Sequence, residues 1–234
     1  MSGALRIDNQ IDLIWRRDWK NLIILDACRY DAFKLNNTIS GTLKPVWSPA
    51  SYTSLWIEKV FTPLSWKDTV LVTASAFFRK RILEKFHYVH NCILKNWNDS
   101  YSTVLPEDVT RVTKKLLAVY PDHPFVIWYI QPHVPLIGEP EISVRTLDLR
   151  KDANLSLEKF VKIFKIPEET VRKAYISNLR YVLGFVKELL LDLHGKTIIT
   201  ADHGNALGEF GYWGHMFSQD FPFLRVVPWL EVKK

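Results

Sequence analysis

The sequence predicts an α/β fold: one three-layer domain over residues 1–234, with a mostly parallel central sheet and helices on both faces. Three observations carry this expectation. Short apolar runs of strand length recur without strict alternation, as in strands buried on both faces. Longer segments between them repeat apolar residues at helical spacing. Polar residues gather directly after the strand-like runs, where open α/β sheets bind ligands.

Asn21–Leu25 (NLIIL), closed by Asp26, reads as a buried strand. Val70–Thr73 (VLVT) is a second. Pro106 opens a helix reaching Tyr120, with Glu107 and Asp108 in its first turn and Lys114 and Lys115 later, as the helix dipole prefers. Phe125–Ile130 (FVIWYI) is a third strand, ended by Gln131-Pro132. The stretch from Glu139 to Ile166 lacks a pattern and reads as a surface excursion. After Pro167, apolar or small residues at Val171, Ala174, Tyr175, Val182, Phe185, Val186, Leu189 and Leu190 define a long helix, with Gly195 as its expected C-terminal cap. Lys196–Thr200 (KTIIT) follows at once as a fourth strand.

Composition bounds the function. At 234 residues, 47% hydrophobic and 24% charged, the chain matches an ordinary globular protein rather than a disordered or fibrous one. No apolar run approaches the ~18 residues of a membrane span, and the first residues are too charged for a secretion signal. Cys28 and Cys92 do not make a disulfide framework, so a reducing, cytoplasmic setting is expected. The net charge of +6 favours anionic partners. It is diffuse, with its densest run at Arg79-Lys80-Arg81, and no nucleic-acid-binding motif accompanies it.

The chemistry-bearing residues sit at the predicted strand ends. Asp26 follows NLIIL, Gln131-Pro132-His133 follows FVIWYI, Asp202-His203-Gly204 follows KTIIT, and Gly214-His215 comes a short loop later. A lone Asp after a strand is more often a helix cap. Two carboxylates and three histidines at one edge are ligand types for a divalent cation.

Four segments in order then carry a resemblance: Leu25–Asp31 with its Asp26, Arg29 and Asp31; Ser51-Tyr52-Thr53 leading to Val60-Phe61-Thr62; Gln131–Pro135; and Thr200-Ala201-Asp202-His203-Gly204 with Leu207-Gly208-Glu209 and Gly214-His215. The C-terminal Val226–Leu230 agrees with them. Together they resemble the sulfatase-like branch of the alkaline phosphatase superfamily. The resemblance implies a divalent metal (Zn, Mn, Ca or Mg) held by Asp26, Thr53, Asp202 and His203. It implies a covalent Thr53 nucleophile, with His133 and His215 facing the transferred group or a second metal. The implied activity is hydrolysis or transfer of phosphate esters, less so sulfate esters, on an anionic small-molecule, glycan or lipid substrate.

The departures sharpen this. The Cys-x-Pro-Ser-Arg motif of formylglycine sulfatases is absent, and Thr53-Ser54-Leu55-Trp56 stands in its place. Four residues before His133, where two-zinc members carry Asp, is Tyr129, so a complete second metal site is not matched. Ser48 and Ser51 are alternative nucleophiles. Cys28 reads as a packed side chain, because Lys34 stands where a Cys-x5-Arg phosphatase loop needs Arg. Arg29 either pairs with Asp31 or Glu209 or holds an anion. A metal-binding protein without turnover is the alternative function, and a nuclease or nucleic-acid adaptor the weaker one.

Overall fold

The computed structural model describes residues 7–138, 157–215 and 219–233. Eight strands form one sheet in the order Asp8–Asn9, Gly41–Trp47, Val226–Val232, Thr197–Ala201, Asn21–Leu25, Phe125–Tyr129, Trp66–Thr73, Phe86–Asn91. The last five run parallel to one another. Val226–Val232 runs antiparallel to both of its neighbours. Asn21–Leu25 lies at the centre, every residue buried, as its unbroken apolar run requires.

Helices cover both faces. On one, Tyr30–Asn36, Pro106–Val119 and Glu168–Leu189 pack together. The long helix buries Val171, Ala174, Tyr175, Asn178, Leu179, Val182, Leu183, Val186 and Leu189, one face at helical spacing with two polar members. On the other face, Gln10–Trp15 and Thr53–Phe61 pack together over an aromatic layer. Trp56 meets Trp128 edge-on at 5.4 Å, and Phe61 meets Trp66 at 5.1 Å and Phe86 at 5.3 Å between ring centroids. Much of the chain's aromatic content is spent there as core.

The four strands read from the sequence are present, and both helices start where their prolines and acidic first turns place them. The long helix ends earlier than expected, with Leu190 as its cap. Leu191 just beyond it is 83% exposed, while Leu193 is buried outside the helix. Gly195 instead makes a left-handed turn (φ 74°) into the strand Thr197–Ala201. Most of the expected Glu139–Ile166 excursion lies outside the described residues, but Leu157–Phe164 is helical, with Leu157 and Val161 buried. Gly41–Trp47 and Val226–Val232 carry no strand signal because each contains a proline. Pro45 and Pro228 face each other across the ladder, which suits a pair that exchanges no N–H···O bonds.

Candidate metal centre at the strand ends

Parallel strands deliver their carboxyl ends to one edge. Leu25 and Ala201 are register partners, so the next residues, Asp26 and Asp202, leave the sheet side by side. His203 follows Asp202. Thr53 reaches them as the first residue of the Thr53–Phe61 helix. The segment before that helix is fastened to the same edge, because the Ser48 hydroxyl donates to the Asp202 carbonyl and the Ser48 N–H donates to the Arg225 carbonyl at 2.7 Å.

Asp26, Asp202 and His203 are buried, and each offers a ligand atom within 4.8 Å of the others. His203 Nε2 lies 3.2 Å from Asp202 Oδ2 and 4.0 Å from Asp26 Oδ1. The remaining carboxylate oxygens are occupied. Trp128 Nε1 donates to Asp26 Oδ2 at 3.1 Å, and the Ala27 and His203 N–H groups donate to Asp202 Oδ1 at 3.0 and 2.9 Å. Asp26 Oδ1 and Asp202 Oδ2 are buried with no hydrogen-bond partner. Orphaned carboxylate oxygens are costly in a protein interior. His203 Nδ1 donates to the Gly204 carbonyl at 2.7 Å, which turns Nε2 toward the two carboxylates. Thr53 Oγ1 stands 3.1 Å from that Nε2. Two unpaired carboxylate oxygens, an imidazole nitrogen and a hydroxyl converge: the donor set fits a divalent cation, zinc included. Burial, then the Asp202 charge, pushes the Asp26 carboxyl well above the usual range, while hydrogen bonds from Trp128 and Thr53 oppose the rise. A cation would reverse that balance.

The other two histidines stand beside this group. His133 donates its backbone N–H to the Asp26 carbonyl at 3.1 Å. Its Nδ1 donates to the Val134 carbonyl at 2.7 Å, leaving Nε2 unprotonated. The His215 ring is 4.4 Å from that of His203 and 5.2 Å from that of His133, centroid to centroid. It sits at the foot of the hairpin Ala206–Leu207/Trp213–Gly214. Burial holds His133 down at about 4. Burial, with His203 and His133 adjacent, holds His215 well below its ordinary value. All six site residues of the sequence reading therefore lie together.

The rest of the reading resolves residue by residue. Tyr129 points away, its hydroxyl paired with Thr110 Oγ1 at 2.7 Å, and among the described residues only the Asp26–Asp202–His203 group gathers three ligand-type side chains. Arg29 is a structural clamp, bonded to Asp31 through Nε at 2.9 Å and Nη2 at 2.6 Å, and to Glu209 through Nη1 at 2.5 Å. Ser48 Oγ is committed to backbone groups of Ala50 and Asp202. The Cys28 thiol is buried and pushed up by burial, hence unreactive. Sequence reasoning missed the supports. Trp128 lies within the apolar run FVIWYI, and nothing in that run marks its indole N–H as a partner of Asp26. Gln10 is buried and donates to Thr200 Oγ1 at 2.8 Å and to the Ala201 carbonyl at 2.6 Å, while its own oxygen accepts from Trp56. A polar residue at an apolar-face position was the available signal in the long helix, where Asn178 breaks the stripe.

No protein-family profile and no curated protein sequence matches the chain. Solved structures do. The C-terminal periplasmic domain of phosphoethanolamine transferase EptC from Campylobacter jejuni superposes with a TM-score of 0.62 at 14% identity, over 90% of this chain and 77% of that one. The fold is alkaline-phosphatase-like. The corresponding EptC domain from Escherichia coli, solved in complex with Zn, matches with a TM-score of 0.58 at 10% identity, over 90% of this chain and 72% of that one. A Bacteroides thetaiotaomicron chain assigned as a sulfatase matches with a TM-score of 0.57 at 12% identity, over 92% of this chain and 64% of that one. Among the described residues, no helix is long and apolar enough to cross a membrane.

Proposed function

We propose that the protein is a divalent-metal-dependent hydrolase or transferase of phosphate esters, with Thr53 as nucleophile. One observation carries the proposal: Asp26 Oδ1 and Asp202 Oδ2 are buried without partners beside His203 Nε2 and the Thr53 hydroxyl. A divalent cation held by Asp26, Thr53, Asp202 and His203 would offset the ester's negative charge and acidify the hydroxyl.

The chain's own groups supply the rest. Thr53 opens a helix that no side chain caps, so its N-terminal N–H groups and dipole favour an incoming anion. The Thr53 hydroxyl gives its proton to solvent, and Oγ1 forms a bond to phosphorus as the bond to the leaving oxygen breaks. His133 and His215 are neutral at pH 7, and an anionic ester arriving beside them favours their protonated forms. A proton from one of these rings passes to the leaving oxygen. Water, or the hydroxyl of an acceptor, then gives its proton to the same ring and attacks phosphorus, and the Thr53 oxygen leaves and regains a proton from solvent. Without the formylglycine motif, phosphoryl transfer is favoured over sulfuryl transfer. The similarity to phosphoethanolamine transferase domains supports a phosphodiester on a glycan or lipid as the substrate to test first.

The experiment is a turnover screen of metal-stripped and zinc- or manganese-reloaded protein on aryl phosphates, phosphodiesters and sulfates, with mass spectrometry of the trapped enzyme. The expected result is metal-restored phosphate-ester turnover and a phosphoryl adduct on the peptide containing Thr53. Full activity in verified metal-free protein, or an adduct elsewhere, overturns the mechanism. The absence of the Tyr129-position carboxylate favours a second reading, a metal-binding protein without turnover; zinc bound tightly with no ester consumed would identify it.

A further inference from the structure

We propose that Tyr175 and Asn178, one turn apart on the Glu168–Leu189 helix, are positioning residues that hold the two halves of the site separately. Tyr175 holds the metal-facing carboxylates and Asn178 holds the His133 loop. The proposal rests on the metal-site reading for the first half and on the proposed role of His133 for the second.

Both side chains are fully buried on an otherwise apolar helix face. Polar groups survive there only with their hydrogen bonds made, and these spend theirs on site loops. The Tyr175 hydroxyl donates to the Ala27 carbonyl at 2.8 Å and accepts from the Arg29 N–H at 3.1 Å. It thus fastens the turn directly after Asp26. In that turn Ala27 adopts φ 56°, a left-handed conformation that side-chain-bearing residues avoid. The reversal delivers the Ala27 N–H to Asp202 Oδ1 at 3.0 Å. One turn therefore sets how Asp26 leaves its strand and occupies the oxygen of Asp202 that does not face the cluster. Asn178 acts on the neighbouring loop. Its Nδ2 lies 3.2 Å from the carbonyl oxygens of Pro132 and His133 and 3.4 Å from that of Pro135, and its Oδ1 accepts from the Ile137 N–H at 3.3 Å. Four contacts fix the segment that carries His133.

The test uses the whole chain and zinc. Zinc affinity is measured by competition with a chromogenic chelator, and turnover with an aryl phosphate. Tyr175→Phe keeps the ring and should weaken zinc binding at least about tenfold, the scale seen when a group that orients a metal ligand is lost. Asn178→Ala should keep zinc affinity within about twofold while kcat falls at least about tenfold at constant KM. Val182→Ala, an apolar neighbour on the same face, should lower the melting temperature and leave zinc affinity alone. Two measurements need no turnover. In the wild type, zinc should slow hydrogen exchange at the Ala27 and Arg29 amides. The His133 Nδ1–H resonance, bonded to the Val134 carbonyl, should be sharp in the wild type and lost in Asn178→Ala. Zinc affinity falling equally in all three variants overturns the proposal. So does affinity unmoved by Tyr175→Phe, or amides left unprotected by zinc. A wild type that binds zinc yet consumes no ester defeats the Thr53 mechanism and leaves affinity, exchange and resonance to decide the positioning roles. A wild type that binds no zinc defeats both.

Discussion

Thr53 is the residue on which the chemistry turns. Its hydroxyl is 97% buried, 3.1 Å from an imidazole nitrogen, at the start of an uncapped helix. Thr53→Ala should lower kcat by roughly three orders of magnitude or more, as removal of a covalent nucleophile does, even with zinc supplied at saturation. Thr53→Ser should keep part of the rate, because it keeps the oxygen. Steady-state kinetics of the zinc-loaded variants checks both. Asp26 makes the opposite test, on stability. A buried carboxylate with an orphaned oxygen next to a second carboxylate is held in the metal-free fold at a cost. Asp26→Asn should raise the metal-free melting temperature by a few degrees, about 1 kcal/mol, while removing zinc affinity. Calorimetry in chelator settles it, and a lower melting temperature would contradict the strain argument. At this scale the site was legible because its residues lie next to strand ends in the primary sequence. Tyr175 and Asn178 were not, since a Tyr and an Asn on a helix carry no sign of which distant loop they will meet.

At the scale of elements, the hairpin that carries His215 is tied down by charge. Glu209 lies at its tip, bonded to Arg29 Nη1 at 2.5 Å and to the Leu207 N–H at 2.6 Å, and Arg29 also binds Asp31. Burial raises and the Arg29 contact lowers the Glu209 carboxyl, with a net fall below its ordinary 4.5. A depressed carboxyl stabilises the fold above its unfolded value and loses that contribution as pH falls through its folded value. The wild type should therefore lose stability on acidification below about pH 4.5. Glu209→Gln should be less stable by about 2 kcal/mol at pH 7, with Arg29 left partly unpaired in a buried setting, and should show a shallower acid decline. Thermal melts from pH 3 to 7 read both effects. The elements were unevenly legible. NLIIL, FVIWYI and TIIT announce themselves because strands covered on both faces must be apolar throughout. Gly41–Trp47 and Val226–Val232 carry prolines and half-exposed polar residues, so their pairing with each other and with Thr197–Ala201, rather than their own pattern, makes them strands. The helix Leu157–Phe164 is too short to stand out beside its patternless neighbourhood.

For the whole molecule, the metal should act as a tertiary cross-link. Asp26 and Asp202 belong to different strands and Thr53 to a helix on the sheet's aromatic face. A ligand that binds only the folded state at a thousand times its dissociation constant adds about 4 kcal/mol, which in a chain of this size moves the melting temperature by roughly 10 °C. Zinc should raise the transition by that order and chelator should remove the gain. A transition that ignores zinc at saturating concentration would show that the cluster does not hold it.

The central strand has a consequence for how the protein is made. Asn21–Leu25 is translated well before either of its two partners, Phe125–Tyr129 and Thr197–Ala201. Until Phe125–Tyr129 is made that strand has no native neighbour, and its second edge stays open until Thr197–Ala201 follows. Truncated nascent chains ending before Thr197 should accordingly remain bound to chaperones and open to protease. Release should come only with the segment that also delivers Asp202 and His203, so that completion of the sheet and completion of the ion site are a single event in synthesis.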